Sequence, residues 1–426
     1  MRSIIIIETS DVGAAYTAKA VQALGCLPIF ICSLRNYQAD TLEQITNYIW
    51  LESDTTSAKT IFATIQQHRN ATNILGKSLR NVAGVISFLE SRLSVAIQLA
   101  AVLGVSGIDP AVLVLADKGK VANLIPEYSP EFILFKRDVL PLAQLQNWLQ
   151  KAQEIIIKPT YSTGALGLFK LDATEGSLTE DLLHNKMIIY SQDQWSILSG
   201  EWLAEPLIPG DLVSLEGYVC AGQVHFLGFS SRHKIKNTES LCEFPWDEQL
   251  DFSLCEQAKE AVQALIGRSH FNYGYFHVEF IFTQDRCALI DANMGRIGGG
   301  GIAQQIALAH HLSPEQVYAH VIATTLFRGQ GIMENLYRER ASTSVAAICY
   351  GIDQDAILDS VSLPLNHTFL HTLILGPGAA VPAMGKNNWS WVGIAVGSSA
   401  TLPLEVQKIS MLTDQGAKKP YFKQGE

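Results

Sequence analysis

Near its start the chain runs through four consecutive isoleucines, Ile4-Ile5-Ile6-Ile7. An alternating pattern would leave one face of a strand polar. An unbroken β-branched run describes a strand buried on both faces, which belongs in a parallel sheet covered by helices. The next residues agree. Thr9-Ser10-Asp11 supplies helix N-cap types, Ala14, Ala18, Val21 and Leu24 recur at helical spacing, and Gly25 is a natural helix stop. Leu27–Cys32 reads as the next strand and completes a βαβ unit. Residues 82–88 repeat the buried-strand pattern, and a helical run over about 90–103 ends at Gly104. Residues 1–108 are therefore expected to form an open α/β domain. No G-x-G-x-x-G follows the first strand, so a Rossmann dinucleotide site has no support.

Asp109-Pro110 predicts a helix start, with a capping carboxylate before a proline at the first helical position. Strand and helix signals then alternate to about residue 204, and strand patterns return over 203–228. A helix is expected over 251–266, and two strands, 276–282 and 287–290, joined by a turn at Gln284-Asp285. Four glycines, 298–301, lead into a helix over Ile302–Ala309, and short β segments dominate beyond about Ala341. The expected fold class is α/β (α+β) in three parts: 1–108, 109–204, and 205–426 with a β-rich subdomain from about 341.

A charged fraction of 17% and an apolar fraction of 48% describe a folded chain with a sizeable core. The net charge of −10 is spread along the sequence, which argues against a nucleic-acid surface needing clustered Lys and Arg. Seven cysteines lie far apart without a C-x-x-C pair, the usage of a reduced cytoplasmic protein, and it disfavours structural zinc. The first apolar run is too short for a signal peptide. The uncharged stretch 93–108 falls short of the ~18 apolar residues a membrane span requires. A cytoplasmic location without membrane contact is expected.

Three segments carry chemistry. Ile155-Ile156-Ile157-Lys158 is a buried strand closed by a lysine, followed by a loop containing Ser162, Thr163, Gly164 and Gly167. A lysine in that position calls for an anion, and backbone N–H groups of such a loop can approach phosphate oxygens closely. Lys158 precedes the glycines, so this is not a Walker A loop. The plain alternative is a snorkelling lysine beside an ordinary loop. In the second segment, Glu279 of His277-Val278-Glu279 and Asp291 of Asp291-Ala292-Asn293 stand twelve positions apart on neighbouring strands. Two carboxylates with the Asn293 amide on one face make a hard oxygen site of the kind Mg²⁺ takes together with substrate phosphates. The plain alternative is a pair of surface acids. The third is Arg296 beside the glycine run, suited to a carboxylate or a developing oxyanion, or simply paired with Asp291 or Glu279.

Together these segments resemble the ATP-grasp superfamily, in the branch of L-amino-acid (dipeptide) ligases and related carboxylate–amine ligases. The resemblance runs from Val82 to about Thr324. Ala116-Asp117-Lys118-Gly119-Lys120 resembles the end of the family's first domain, and implies that Lys118 and Lys158 contact the ATP phosphates. Leu203-Ala204-Glu205-Pro206-Leu207 resembles the hinge strand that holds adenine, read by Glu205 and the backbone near Leu207. Leu212 stands where the family has a ribose-binding acid, and Asp211 is assigned in its place. Glu279, Asp291 and Asn293 match the family's Mg²⁺ positions. Asp291 replaces a Glu, and Arg296 follows that acid by five positions where the family has four.

Ser230-Ser231-Arg232-His233-Lys234 through Glu243-Phe244-Pro245-Trp246 resembles the family's substrate segment. Glu243 matches its amine-holding glutamate, and Trp246 occupies a histidine position. His233, Lys234, Gly298 and Gly299 complete the implied substrate contacts. The resemblance implies an ADP-forming enzyme using ATP with Mg²⁺, or Mn²⁺ in its place. It would activate a carboxylate as an acyl phosphate and join it to an amine, amino acids or similar small molecules, as a homodimer. Catalysis falls to Arg296 and Lys158, under a lid at 162–167. The alternatives are a ligase handling bicarbonate or formate, as in biotin carboxylases or the purine pathway, and a non-catalytic nucleotide-binding regulator.

Overall fold

The computed structural model describes residues 1–34, 37–162, 166–175, 178–192, 194–236, 238–330, 336–337, 341, 343–386 and 390–423. Thr163, Gly164 and Ala165 of the expected lid lie outside the described residues.

The first sheet contains β1 (Ser3–Ile7), β2 (Leu27–Cys32), β3 (Ile49–Glu52) and β4 (Val82–Ile86), all parallel in the order β3-β2-β1-β4. Ile4 to Ile7 are each 0% exposed, as a strand covered on both faces requires. The helix Asp11–Ala23 begins at Ser10, whose side chain accepts from Gly13 N, and the helix Leu93–Leu103 ends at Gly104 in the left-handed region. One 3₁₀ turn, Glu90–Arg92, precedes that second helix.

Sequence and structure differ at Asp109-Pro110. Helical residues begin only at Val112, in a short Val112–Leu115 segment. Asp109 instead ties distant segments: Oδ1 accepts from Ala111 N (2.9 Å) and Oδ2 from Asn272 N (2.8 Å).

A second sheet packs β5 (Ile133–Lys136), β6 (Glu154–Pro159), β7 (Phe169–Asp172) and β8 (Glu201–Pro206) in the order β5-β8-β6-β7, over its own apolar cluster. The third sheet contains β9 (Asp211–Cys220), β10 (Gln223–Ser231), β13 (Tyr273–Phe282) and β14 (Cys287–Met294) in the order β10-β9-β13-β14, antiparallel throughout. It shares one continuous core with the first sheet.

The β-rich end of the chain builds two further sheets. One contains β11 (His233–Ile235), β12 (Thr238–Phe244), β15 (Val345–Tyr350), β17 (Leu370–Leu373) and β19 (Gly393–Ser398). The other contains β16 (Ala356–Ser362), β18 (Ala380–Val381), β20 (Ser410–Thr413) and β21 (Gly416–Lys418). Among the described residues, no helix is long and apolar enough to cross a membrane.

Candidate active site

The third sheet sets the site by register. Residues directly opposite one another on antiparallel strands share a face, and so do positions two apart on one strand. Ser214, Glu279 and Asp291 form one row across β9, β13 and β14, and Glu216, His277 and Asn293 form the adjacent row. All six side chains therefore lie on one face. A bulge follows at once: Glu279 opposes Asp291 but Phe280 opposes Leu289, so Ile290 has no partner on β13. Its carbonyl accepts instead from Lys158 Nζ, at 3.1 Å.

Four cations converge on these rows from elsewhere in the chain. Lys118, at the start of the helix Lys118–Leu124, places Nζ 3.2 Å from Asp291 Oδ1, and its backbone N–H donates to Thr160 O. Lys158, closing β6, is 6% exposed and lies 2.7 Å from Glu205 of β8. Arg232, beside β10, lies 2.9 Å from His277 Nε2, pairs with Glu239 and reaches Glu279 at 3.3 Å. Arg296 pairs with Glu90 at 3.1 Å and donates to Asn293 Oδ1 at 2.6 Å.

That last arrangement corrects the plain alternative read from the sequence: the partner of Arg296 is Glu90, not Asp291 or Glu279. Gly295, just before Arg296, has a φ of +81°, in the left-handed region glycine favours.

The electrostatics follow from burial and these pairs. Burial acts to raise the pKa of Glu279, but Arg232 and His277 outweigh it and hold the carboxyl well below its usual range. Burial acts to lower the pKa of Lys118, yet Asp291 and Glu90 raise it on balance. Glu90 is raised by burial, which Arg296 only partly offsets. His277 loses solvation but faces Glu216 at 2.7 Å, and its pKa rises to about 9. The face thus presents ionised carboxylates beside fixed cations.

The profile of the ATP-grasp domain matches residues 152–304. That segment is similar to an ATP-grasp domain. A domain of this kind uses ATP with Mg²⁺. No curated protein matches the chain.

Solved structures overlap it over nearly its whole length at low identity, which shows the fold they share. L-amino acid ligase from Bacillus licheniformis is 14% identical, covers 93% of this chain and 93% of its own, and gives a TM-score of 0.68. Phosphoribosylglycinamide synthetase from Anaerococcus prevotii is 13% identical, covers 96% and 99%, and gives 0.65. Biotin carboxylase from Campylobacter jejuni, solved as a β-γ-ATP complex, is 12% identical, covers 98% and 93%, and gives 0.71.

Within the ATP-grasp fold the expected site residues fall into groups. Lys118, Lys158, Glu205, Glu279, Asp291, Asn293 and Arg296 are joined through the contacts above, and Ser162 O lies 3.4 Å from Lys118 Nζ. Leu207 follows β8, its N–H on Glu154 O, while Asp211 is exposed at the start of β9. His233 and Lys234 lie on β11 and Glu243 on β12, and the Trp246 ring meets His233 edge-on at 6.3 Å. Gly298 lies against the central rows: a Cβ there would sit 2.9 Å from His277 Nδ1. Gly299 has open space.

Sequence reasoning assigned no role to Arg232, Glu239, Glu216 or Glu90. Opposite charges seven positions apart around a short hairpin were a usable signal for Arg232 and Glu239. Nothing local links Glu216 to His277, 61 residues away.

Proposed function

We propose that the chain is an ATP-dependent ligase that activates a carboxylate as an acyl phosphate and couples it to an amine, with amino acids or similar small molecules as substrates. The carrying observation is the pair of rows on the third sheet, Ser214/Glu279/Asp291 and Glu216/His277/Asn293, met from outside by Lys118 and Lys158.

The donor set fits the metal. Among the described residues, no group of three or more His, Cys, Asp or Glu is arranged to hold an ion. Two opposed carboxylates and an amide are what Mg²⁺ takes when phosphate oxygens and water complete its shell. Glu279, Asp291 and Asn293 would hold Mg²⁺, or Mn²⁺ in its place, and the ion supplies charge neutralisation on the nucleotide phosphates.

The remaining roles belong to the chain's own groups. Lys118 and Lys158 take phosphate oxygens in exchange for Asp291 and Glu205, with Ser162 beside Lys118. Glu205 and the Leu207 backbone read adenine, and Asp211 takes the ribose. His233, Lys234, Glu243, Trp246, Gly298 and Gly299 line the substrate side. Arg296 stabilises the oxyanion formed as the amine attacks, an effect for which a single donor is worth about 3 kcal/mol. Excluding water protects the acyl phosphate from hydrolysis.

The deciding experiment is a phosphate-release screen over pairs of amino acids, with mass spectrometry of the products. Glu279→Ala should abolish ADP formation, and turnover at the wild-type rate would remove the metal assignment. The equally extensive overlap with biotin carboxylase supports a second reading. ADP release that depends on bicarbonate and needs no amino acid selects it. Seven free cysteines, six of them buried, support a reducing compartment such as the cytoplasm. Light scattering tests the expected homodimer.

A further inference from the structure

A cavity of about 420 Å³ opens at the carboxyl end of the first sheet, and none of the roles above uses it. Among the described residues, Ser33 from the end of β2, Glu52 to Thr56 from the end of β3 and Arg92 from the turn after β4 line it, and none of them is aliphatic or aromatic. Its position is the one where open parallel sheets bind ligands, beyond the carboxyl ends of the strands. The order β3-β2-β1-β4 changes direction at β1, between the two walls of the cavity. Its volume falls in the range of roughly 300–1,000 Å³ typical of small-molecule sites.

The floor is rigid. Glu8 is 3% exposed and holds φ at +55°, a conformation that costs about 1 kcal/mol or more outside glycine and persists only where neighbours enforce it. Its carboxylate accepts from Ser33 N (3.0 Å), Thr55 Oγ1 (2.6 Å) and the Tyr37 hydroxyl. Thr55 in turn accepts from Arg92 Nε at 3.1 Å, and Arg92 Nη1 donates to Ser91 O at 3.2 Å.

Arg92 is thus held in the wall by neutral oxygens alone, and it forms no ion pair among the described residues. Each cation of the ligase centre, by contrast, has a carboxylate partner. Asp54 feels this guanidinium only weakly, after its bonds to Thr56, and a half-buried guanidinium with no carboxylate in contact among the described residues is poised for an anion. On the opposite wall Asp54 is occupied by Thr56 N and Oγ1, which leaves Glu52 as the carboxylate open to a cation.

We propose that this cavity is a subsite for a small zwitterion, an α-amino acid with its carboxylate on Arg92 and its ammonium facing Glu52. The polar lining selects a hydrophilic side chain. Glu90, which holds Arg296, and Arg92 share one 3₁₀ turn, so the subsite adjoins the ligase centre. The assignment deepens the ligase reading and rests on it for the amino acid's role as substrate.

The test measures binding by calorimetry and thermal shift on the full chain, with Mg²⁺–ADP and a panel of polar and apolar amino acids as separate arms. Wild type, Arg92→Gln and Glu52→Gln are compared. Polar amino acids should bind wild type, and Arg92→Gln should weaken them by about ten- to a hundredfold, the span of one charged hydrogen bond. Glu52→Gln, an exposed change, should weaken them in the same direction and carries the test if Arg92→Gln fails to fold. The Mg²⁺–ADP response should be the same in all three. Unchanged amino-acid affinity in the folded variants, or no amino-acid binding by wild type, overturns the subsite. The ligase reading fails separately, when no amino-acid pair releases phosphate.

Discussion

His277 should make the stability of this protein fall on the alkaline side of neutrality. Burial alone would lower its pKa, but Glu216 at 2.7 Å outweighs both burial and the neighbouring Arg232, and the imidazole is held at about 9 against an ordinary 6.5. The folded state therefore binds this proton more tightly than the unfolded chain does. The resulting stabilisation is fully present below pH 6.5 and is lost as pH rises through about 9. Each tenfold change in proton affinity is worth about 1.4 kcal/mol, so the whole effect is at most about 3–4 kcal/mol.

His277→Gln keeps a neutral donor for Glu216 and removes the titration. Urea midpoints of the two proteins are compared across pH 6.5 to 9, using their difference because a chain of several cores need not unfold in one step. Wild type should lose resistance across this window while His277→Gln stays nearly flat. Parallel losses in the two proteins would refute the reasoning, as would an NMR titration placing this imidazole near 6.5.

Lys158→Met strands Glu205 in a buried site and should cost about 3–5 kcal/mol, with most of it recovered in Lys158→Met/Glu205→Gln. Thermal denaturation reads the recovery, and neither variant should form ADP. Arg296→Ala should slow amide formation by about a hundredfold while leaving nucleotide affinity nearly intact, measured by product analysis and fluorescent-nucleotide titration. Burial pushes His320 and His371 down to about 4. Their folded-state affinity for protons is depressed, so the stability they contribute is present above pH 6.5 and is lost as pH falls towards 4. His320→Phe should shed part of that acid sensitivity in thermal melts.

The β-branched run at residues 4–7, the glycine stops and the N-cap at Ser10 were legible because local pattern and chain direction decide them. So was the pairing of Glu279 with Asp291, since a hairpin joins neighbours in sequence. The helix start read at Asp109-Pro110 was not, because the Asp109 carboxylate is drawn to Asn272 N, a partner 163 residues away.

Sequence by itself determined which residue types were available: the lysine closing a buried strand, two acids and an amide at even spacing, and an arginine before a glycine run. Only the tertiary structure decided the pairing. It gave Arg296 to Glu90, set Arg232 between Glu239 and Glu279, and matched Glu216 to His277 across a strand boundary. Charge partners in a folded chain follow distance and burial, and neither is written in spacing along the sequence. The same holds for Arg92, an unremarkable surface arginine in the sequence, whose neutral anchors exist only once β2, β3 and the turn after β4 are brought together.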